Sequence, residues 1–213
     1  MKLQTVIIIL AAGQGSRFLG SQHKLTQPLG AVTVLGRSIS RAIESRMPVI
    51  VVTTDRLATE AARWVARRDL VVLPEVGSGG AGLTALGMGY SIAAGVAARP
   101  HAAGWLVLPG DMPLVRPATL LAVASGLAQN PVVYAQYQGR RGHPVGFGAE
   151  LFSELVQLSG DEGARRLTAR YPSAGLEVND PGVLIDVDTE ADLAAVQRRL
   201  KAEREGQPAV PPI

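Results

Sequence analysis

TVIIILAAGQGSRFLGSQHK, residues 5–24, opens with an apolar, β-branched run and closes in a loop bearing Gly13, Gly15, Arg17 and Lys24. The run at 5–10 has the length and branching of a strand covered on both faces, as in a parallel sheet. Similar runs recur at 49–53, 70–73, 105–108 and 132–134. Between them, residues 36–46, 56–67, 90–98, 117–129 and 151–158 repeat apolar positions every three to four, the spacing of a helix with one buried face. A last such segment, 189–204, carries Leu193, Val196 and Leu200 on one side. Strand and helix in alternation predict an α/β fold of three layers, doubly wound about a mostly parallel, Rossmann-like sheet. Residues 137–148, with Gly139, Gly142 and Pro144, read instead as a small antiparallel excursion. Residues 1–205 are expected to form one domain, and the proline-rich 206–213, GQPAVPPI, a disordered tail.

Composition narrows the class. The chain has 213 residues, of which 47% are hydrophobic and 4% aromatic, with 24 glycines, as in a tightly turned enzyme rather than an unfolded or aromatic-rich binding protein. It has no cysteine, so disulfides, thiolate metal sites and a cysteine nucleophile are excluded, and any metal must use oxygen or histidine ligands. The apolar stretch 6–12 is too short to span a bilayer, and the protein reads as soluble and cytoplasmic, with no membrane partner. Net charge is +3, but Arg63, Arg67, Arg68, Arg140, Arg141, Arg165 and Arg166 are spread out and not interleaved with aromatics. Nucleic-acid binding is not indicated, whereas small anionic substrates are compatible.

In a doubly wound sheet, ligands bind beyond the carboxyl ends of the strands, so the segments following each strand carry the functional reading. In the first, Gly13 and Gly15 permit successive N–H groups to face one point, and Arg17 and Lys24 add cations, a combination suited to a polyphosphate. It is neither standard phosphate motif: no Gly-Lys-Ser/Thr follows, and Phe18 stands where a dinucleotide loop needs its third glycine. On spacing alone, a phosphate cradle and an ordinary glycine-rich turn remain equally open. A dinucleotide spacing does occur at Gly77, Gly79 and Gly82, but no acidic residue follows between 83 and 110 to take a ribose, which favours a plain glycine-rich loop.

WLVLPGDMPLV places Asp111 just past an apolar run, between Gly110 and the pair Met112 and Pro113. A carboxylate there suits magnesium, which favours one or two carboxylates plus substrate phosphates; a turn residue or helix cap is the alternative reading. In LIDVDTEADL, Asp186 and Asp188 precede a helix capped by Thr189, and only one of the two is expected to enter the cleft. His143, beside Arg140 and Arg141, suits a second anionic substrate or an ordinary turn, while His23 and His101 read as surface residues. No Ser-His-Asp or histidine-carboxylate zinc set can be assembled.

Taken together and in order, LAAGQGSRFLGSQHK, PGDMPLV, GHPVGF, SGDEGARRL and IDVDTEADL resemble the nucleotidyltransferases of molybdenum cofactor maturation, over residues 6–193. Within that group the chain looks most like the molybdopterin cytidylyltransferase branch, on LAAG at residues 10–13 and on GHPV with GDxGAR. The resemblance implies nucleotidyl transfer from CTP to molybdopterin with release of pyrophosphate, dependent on Mg²⁺, with a molybdoenzyme as a candidate partner; a sugar phosphate or other small phosphorylated acceptor, and a non-catalytic nucleotide-binding module, are the alternatives. It implies that Leu10, Ala11 and Ala12 bind the nucleotide, that Gly13, Gly15, Arg17 and Lys24 hold its triphosphate, and that Asp111 binds the metal with Asp188 as second ligand and Asp186 as the alternate. Gly89 and Ser91 would contact nucleotide or pterin, and His143 with Arg165 the phosphate-bearing acceptor. Arg17 and Lys24 stand seven positions apart, two more than the usual spacing, so the loop tip is expected to bulge. The methyl of Ala12, where the guanylyl branch has glycine, would narrow the space above the strand and favour a pyrimidine.

Overall fold

The computed structural model describes residues 3–13, 23–74 and 87–205. In chain order the strands and helices are β1 (Thr5–Ala11), β2 (Pro28–Leu29), β3 (Val32–Thr33), α1 (Val34–Glu44), β4 (Val49–Thr54), α2 (Asp55–Ala61), β5 (Leu70–Leu73) and α3 (Gly87–Ala97). They continue with β6 (Gly104–Pro109), α4 (Pro117–Gly126), β7 (Val132–Tyr137), β8 (Arg140–Gly148), α5 (Phe152–Leu155), α6 (Arg165–Arg170), β9 (Ser173–Glu177) and α7 (Glu190–Arg204). Seven strands form one sheet in the order β5-β4-β1-β6-β8-β7-β9, and β2 and β3 form a separate antiparallel pair. β5, β4, β1 and β6 run parallel, β8 lies antiparallel between β6 and β7, and β9 adds parallel to β7.

Successive residues of β1 point to opposite faces, and both faces are covered. Ile7, Ile9 and Ala11 pack in one core with Leu35 and Ile39 of α1, Leu57 of α2, Leu120 of α4 and Val196 of α7. Val6 and Ile8 pack in the other with Ile92 and Val96 of α3, Leu155 of α5 and Leu167 of α6. This is the three-layer, mostly parallel α/β fold expected from the apolar runs. Each fully buried aliphatic side chain in these layers contributes about 1.5–3 kcal/mol from apolar burial.

Three local departures have physical causes. The helix expected over 56–67 stops at Ala61, because Trp64 turns back onto α1, where a Cβ on Gly36 would come within 2.7 Å of the indole. The helix expected over 151–158 is a 3-10 turn, Ala149–Leu151, followed by the single turn of α5. β9 had no sequence signal: its SAGLE alternates exposed and half-buried residues with a central glycine, and it is a strand because β7 offers it a parallel edge. No helix among the described residues is long and apolar enough to cross a membrane.

Candidate active site

Topology brings separated segments to one edge. β1 and β6 are parallel neighbours, so residues 12–13 and 110–112 leave the sheet side by side, and Gly110 N–H donates to the Leu10 carbonyl at 2.8 Å. β8 runs the other way and pairs Val145 with Val107, so its first residues, Arg140 to His143, lie beyond the carboxyl end of β6. The segment leading to α7 is pinned here by the Val187 N–H, which donates to the Asp111 carbonyl at 2.9 Å. Together these segments line a cleft of about 550 Å³ whose walls include Gly13, Lys24, Met88, Asp111, Met112, Arg140, Arg141, Gly142, His143, Asp186 and Asp188.

Lys24 stands at the centre of its acidic side. Its Nζ donates to Asp111 Oδ2 at 2.6 Å and to Asp188 Oδ1 at 2.5 Å, and the three side chains are only 12, 18 and 20% exposed. Burial disfavours the ammonium, but the two carboxylates outweigh it and hold the Lys24 pKa above its ordinary value. Lys24 begins the 3-10 turn Lys24–Thr26, which is capped by His23. Contrary to the surface position expected for it, His23 is 7% exposed: Nδ1 accepts from the Leu25 N–H at 3.2 Å, which leaves Nε2 to donate to the Gly13 carbonyl at 3.0 Å. Desolvation, reinforced by Arg56 and Lys24, keeps its pKa below 6.5 in spite of the Gly13 bond. No sequence signal marked this role, which arises because a 3-10 turn returns to the end of β1. His101 is exposed, as expected.

Asp186 and Asp188 both line the cleft, which corrects the expectation that only one would enter it. Alternate residues of an extended segment share a face, and Val187 between them is fully buried on the core side. Burial, with the charges of Asp188 and Asp111, raises the Asp186 pKa despite a backbone hydrogen bond and nearby Lys24. Thr189 caps α7 as expected: its hydroxyl accepts from the Asp192 N–H at 3.2 Å, and the Asp192 carboxylate accepts from the Thr189 N–H at 2.8 Å. His143 is half-buried. Desolvation lowers its pKa, aided by Arg141 and opposed by Asp111, so the imidazole is neutral near pH 7.

The remaining sequence candidates are not among the described residues that line this cleft. Leu10 and Ala11 belong to β1, Ala11 within the core, and Ala12 is half-buried against the α3 side. Gly89 and Ser91 are buried in α3 and do not line the cleft; Gly89 N–H donates to the Gly160 carbonyl at 2.8 Å, and a Cβ there would meet the Ser159 backbone at 2.6 Å. Their neighbour Met88 lines it instead. Arg165 is exposed on the first turn of α6 and is not among the cleft-lining residues. Gly15, Arg17, the glycines at 77, 79 and 82, and the tail 206–213 lie outside the described residues.

The donor set fits a divalent cation. Asp111 Oδ1 is buried and has no hydrogen-bond partner, and Asp111 and Asp188 already converge on one ammonium. Among the described residues no group of three or more His, Asp or Glu is arranged around a metal position, so the ion's other ligands would come from substrate and water, as magnesium prefers.

A family model described as a MobA-like NTP transferase domain matches residues 7–175. The purine catabolism protein PucB of Bacillus subtilis is 28% identical over 208 residues, covering 91% of this chain and 96% of that protein. Among solved structures, Rv0371c of Mycobacterium tuberculosis superposes with a TM-score of 0.75 at 28% identity, covering 92% of this chain and 98% of that one. A complex of Rv0371C with manganese gives a TM-score of 0.73 at 27% identity, with the same coverage.

Proposed function

The chain belongs to the family of MobA-like NTP transferase domains and is a nucleotidyltransferase, and on that premise we propose that it transfers the cytidylyl group of CTP to the phosphate of molybdopterin, with Mg²⁺ and with release of pyrophosphate. The observation that carries this reading is the buried, unpartnered Oδ1 of Asp111 beside a lysine that bridges Asp111 and Asp188. The cytidylyl preference and the molybdopterin acceptor rest on the LAAG, GHPV and GDxGAR motifs.

An ionised acceptor oxygen forms the new bond to the α-phosphorus. The bond from that phosphorus to the oxygen bridging to the β-phosphorus breaks, and its electron pair leaves with pyrophosphate. The attacking group is already an anion, so no side chain has to remove a proton. Asp111 and Asp188 would hold Mg²⁺, which when bound neutralises phosphate charge and orients the α-phosphate. Lys24, at the edge of the same site, supplies a permanent cation to the leaving pyrophosphate, together with Arg17. Gly13 lets the backbone approach the triphosphate, and neutral His143 is placed to orient the acceptor.

The test is a pyrophosphate-release screen of CTP, GTP, ATP and UTP against molybdopterin and sugar phosphates, with and without Mg²⁺. CTP with molybdopterin is expected to be the productive pair, and Asp111→Asn to lower metal-dependent release by ~10²–10³ or more while the protein stays folded. Near-normal release by that variant would remove Asp111 from the metal site; release with another pair would reassign the substrates.

A further inference from the structure

The lining of the cleft mixes both signs of charge. Lys24 contacts Asp111 and Asp188, Asp186 lines the same cleft, and so do Arg140 and Arg141. Neither arginine takes part in a salt bridge among the described residues, although both lie at a wall shared with three aspartates. A guanidinium without a carboxylate partner is available to an anion, and its planar fork matches a phosphate bidentately.

The backbone beneath them is held in place. Gln138 (φ 51°) and Gly139 (φ 73°) form the two-residue turn between β7 and β8, a conformation whose twist matches that of the flanking strands. The Glu177 carboxylate of β9 ties this turn down, accepting from the Gln138 N–H at 2.5 Å, the Gly139 N–H at 3.3 Å and Gln136 Nε2 at 3.0 Å. Arg140 and Arg141 follow directly, paired with Tyr137 and Gln136, and the Arg141 guanidinium carbon lies 4.4 Å from the centre of the Tyr134 ring. That stacking restricts one long side chain before any ligand arrives.

We infer that Arg140 and Arg141 bind the phosphate monoester of the acceptor, so that the acceptor enters from the hairpin side while the nucleotide phosphates lie against Lys24 and the aspartates. The assignment rests on the nucleotidyl-transfer reading above. It follows from charge: a dianionic acceptor placed against three carboxylates would be repelled, whereas the hairpin borders the cleft with two cations. His143, two residues beyond Arg141, lines the same cleft and feels the charges of both Arg141 and Asp111.

Phenyl phosphate serves as a probe of the monoester. It would be titrated calorimetrically into the full chain and into Arg140→Ala, Arg141→Ala and Arg141→Lys variants, alongside a titration of CTP with Mg²⁺. Loss of a charge-assisted bond predicts a phenyl phosphate affinity about tenfold or more weaker in each alanine variant, with partial recovery in Arg141→Lys. Affinity for CTP with Mg²⁺ should change less than about twofold, since a removed site contributes nothing to a ligand it does not touch. No binding of phenyl phosphate to the native chain, or equal binding by the variants, overturns the inference. So does weakened CTP binding with displacement of phenyl phosphate by CTP, which would assign the arginines to the triphosphate. A native chain that releases no pyrophosphate from any nucleotide, yet binds phenyl phosphate through these arginines, would sink the transfer reading and leave the phosphate site standing.

Discussion

Asp111, Lys24 and Asp188 were legible as residues before they were legible as a site. Asp111 and Asp188 each follow an apolar run, and Lys24 closes a glycine-containing loop, so type and setting pointed to charge chemistry; the convergence of both carboxylates within 2.6 Å of the Lys24 ammonium depends on segments up to 164 positions apart. His23 is the counterexample: nothing in GSQHKLT distinguishes it from a surface residue, yet it bonds both the Leu25 N–H and the Gly13 carbonyl. Its titration has a direction. Burial depresses the folded-state pKa below 6.5, so below that pH the unfolded chain binds more protons than the folded one, and stability falls as pH is lowered. The His23 contribution is complete above the unfolded value and declines through it toward the lower folded value. The melting temperature is therefore expected to drop as pH is lowered through 6.5. His23→Asn, which keeps an acceptor for the Leu25 N–H, should show a smaller drop; an equal drop would place the acid sensitivity elsewhere, with His143 the first candidate because burial lowers its pKa as well.

At the scale of elements, glycine at 142 is required by a close approach rather than by a turn. A Cβ there would lie 2.2 Å from the Val183 carbonyl, and that backbone belongs to the 3-10 turn Pro181–Leu184, which leads into Asp186 and Asp188. The turn has little freedom to yield, because the buried Asp180 carboxylate accepts from the Gly182 N–H at 3.0 Å, the Arg116 N–H at 2.8 Å and the Thr119 hydroxyl at 2.7 Å. Gly142→Ala is expected to destabilise the protein by roughly 1–3 kcal/mol, read as a lower denaturation midpoint. It should also weaken metal binding by moving the two aspartates. An unchanged midpoint would mean that β8 and the turn separate freely. Legibility differed among the elements for the same reason. β1, β4 and β6 are buried on both faces and announce themselves as apolar runs, and the antiparallel excursion announced itself through its glycines. β9 and the shortened α2 are set by a neighbouring edge and by Trp64, which no local pattern encodes.

For the whole molecule, the cleft joins chain ends. Gly13 and Lys24 come from the first strand and its loop, Asp186 and Asp188 from the last segment before α7, and the hairpin from the middle. A ligand bound across them crosslinks the fold, so CTP with a divalent cation should raise the melting temperature. At a hundredfold excess over the dissociation constant the gain is ~2.7 kcal/mol, or roughly 5–10 °C for a chain of this size. In Asp111→Asn the metal-dependent part of that rise is expected to disappear; a full rise in the variant would show that the metal binds elsewhere.

The alternation of apolar runs with helical spacing was enough to specify a three-layer α/β sheet, because burial on both faces writes itself into consecutive residues. The acidic and basic residues past the strand ends could be named for the same local reason. Which of them meet was a matter of strand order and direction: antiparallel β8 beside β6 delivers Arg140, Arg141 and His143 to the edge where Asp111 emerges, and the Val187 N–H bond to the Asp111 carbonyl brings both late aspartates there. Pairing across a sheet is fixed by long-range packing and hydrogen bonding between distant segments, so its outcome is carried by no single stretch of chain.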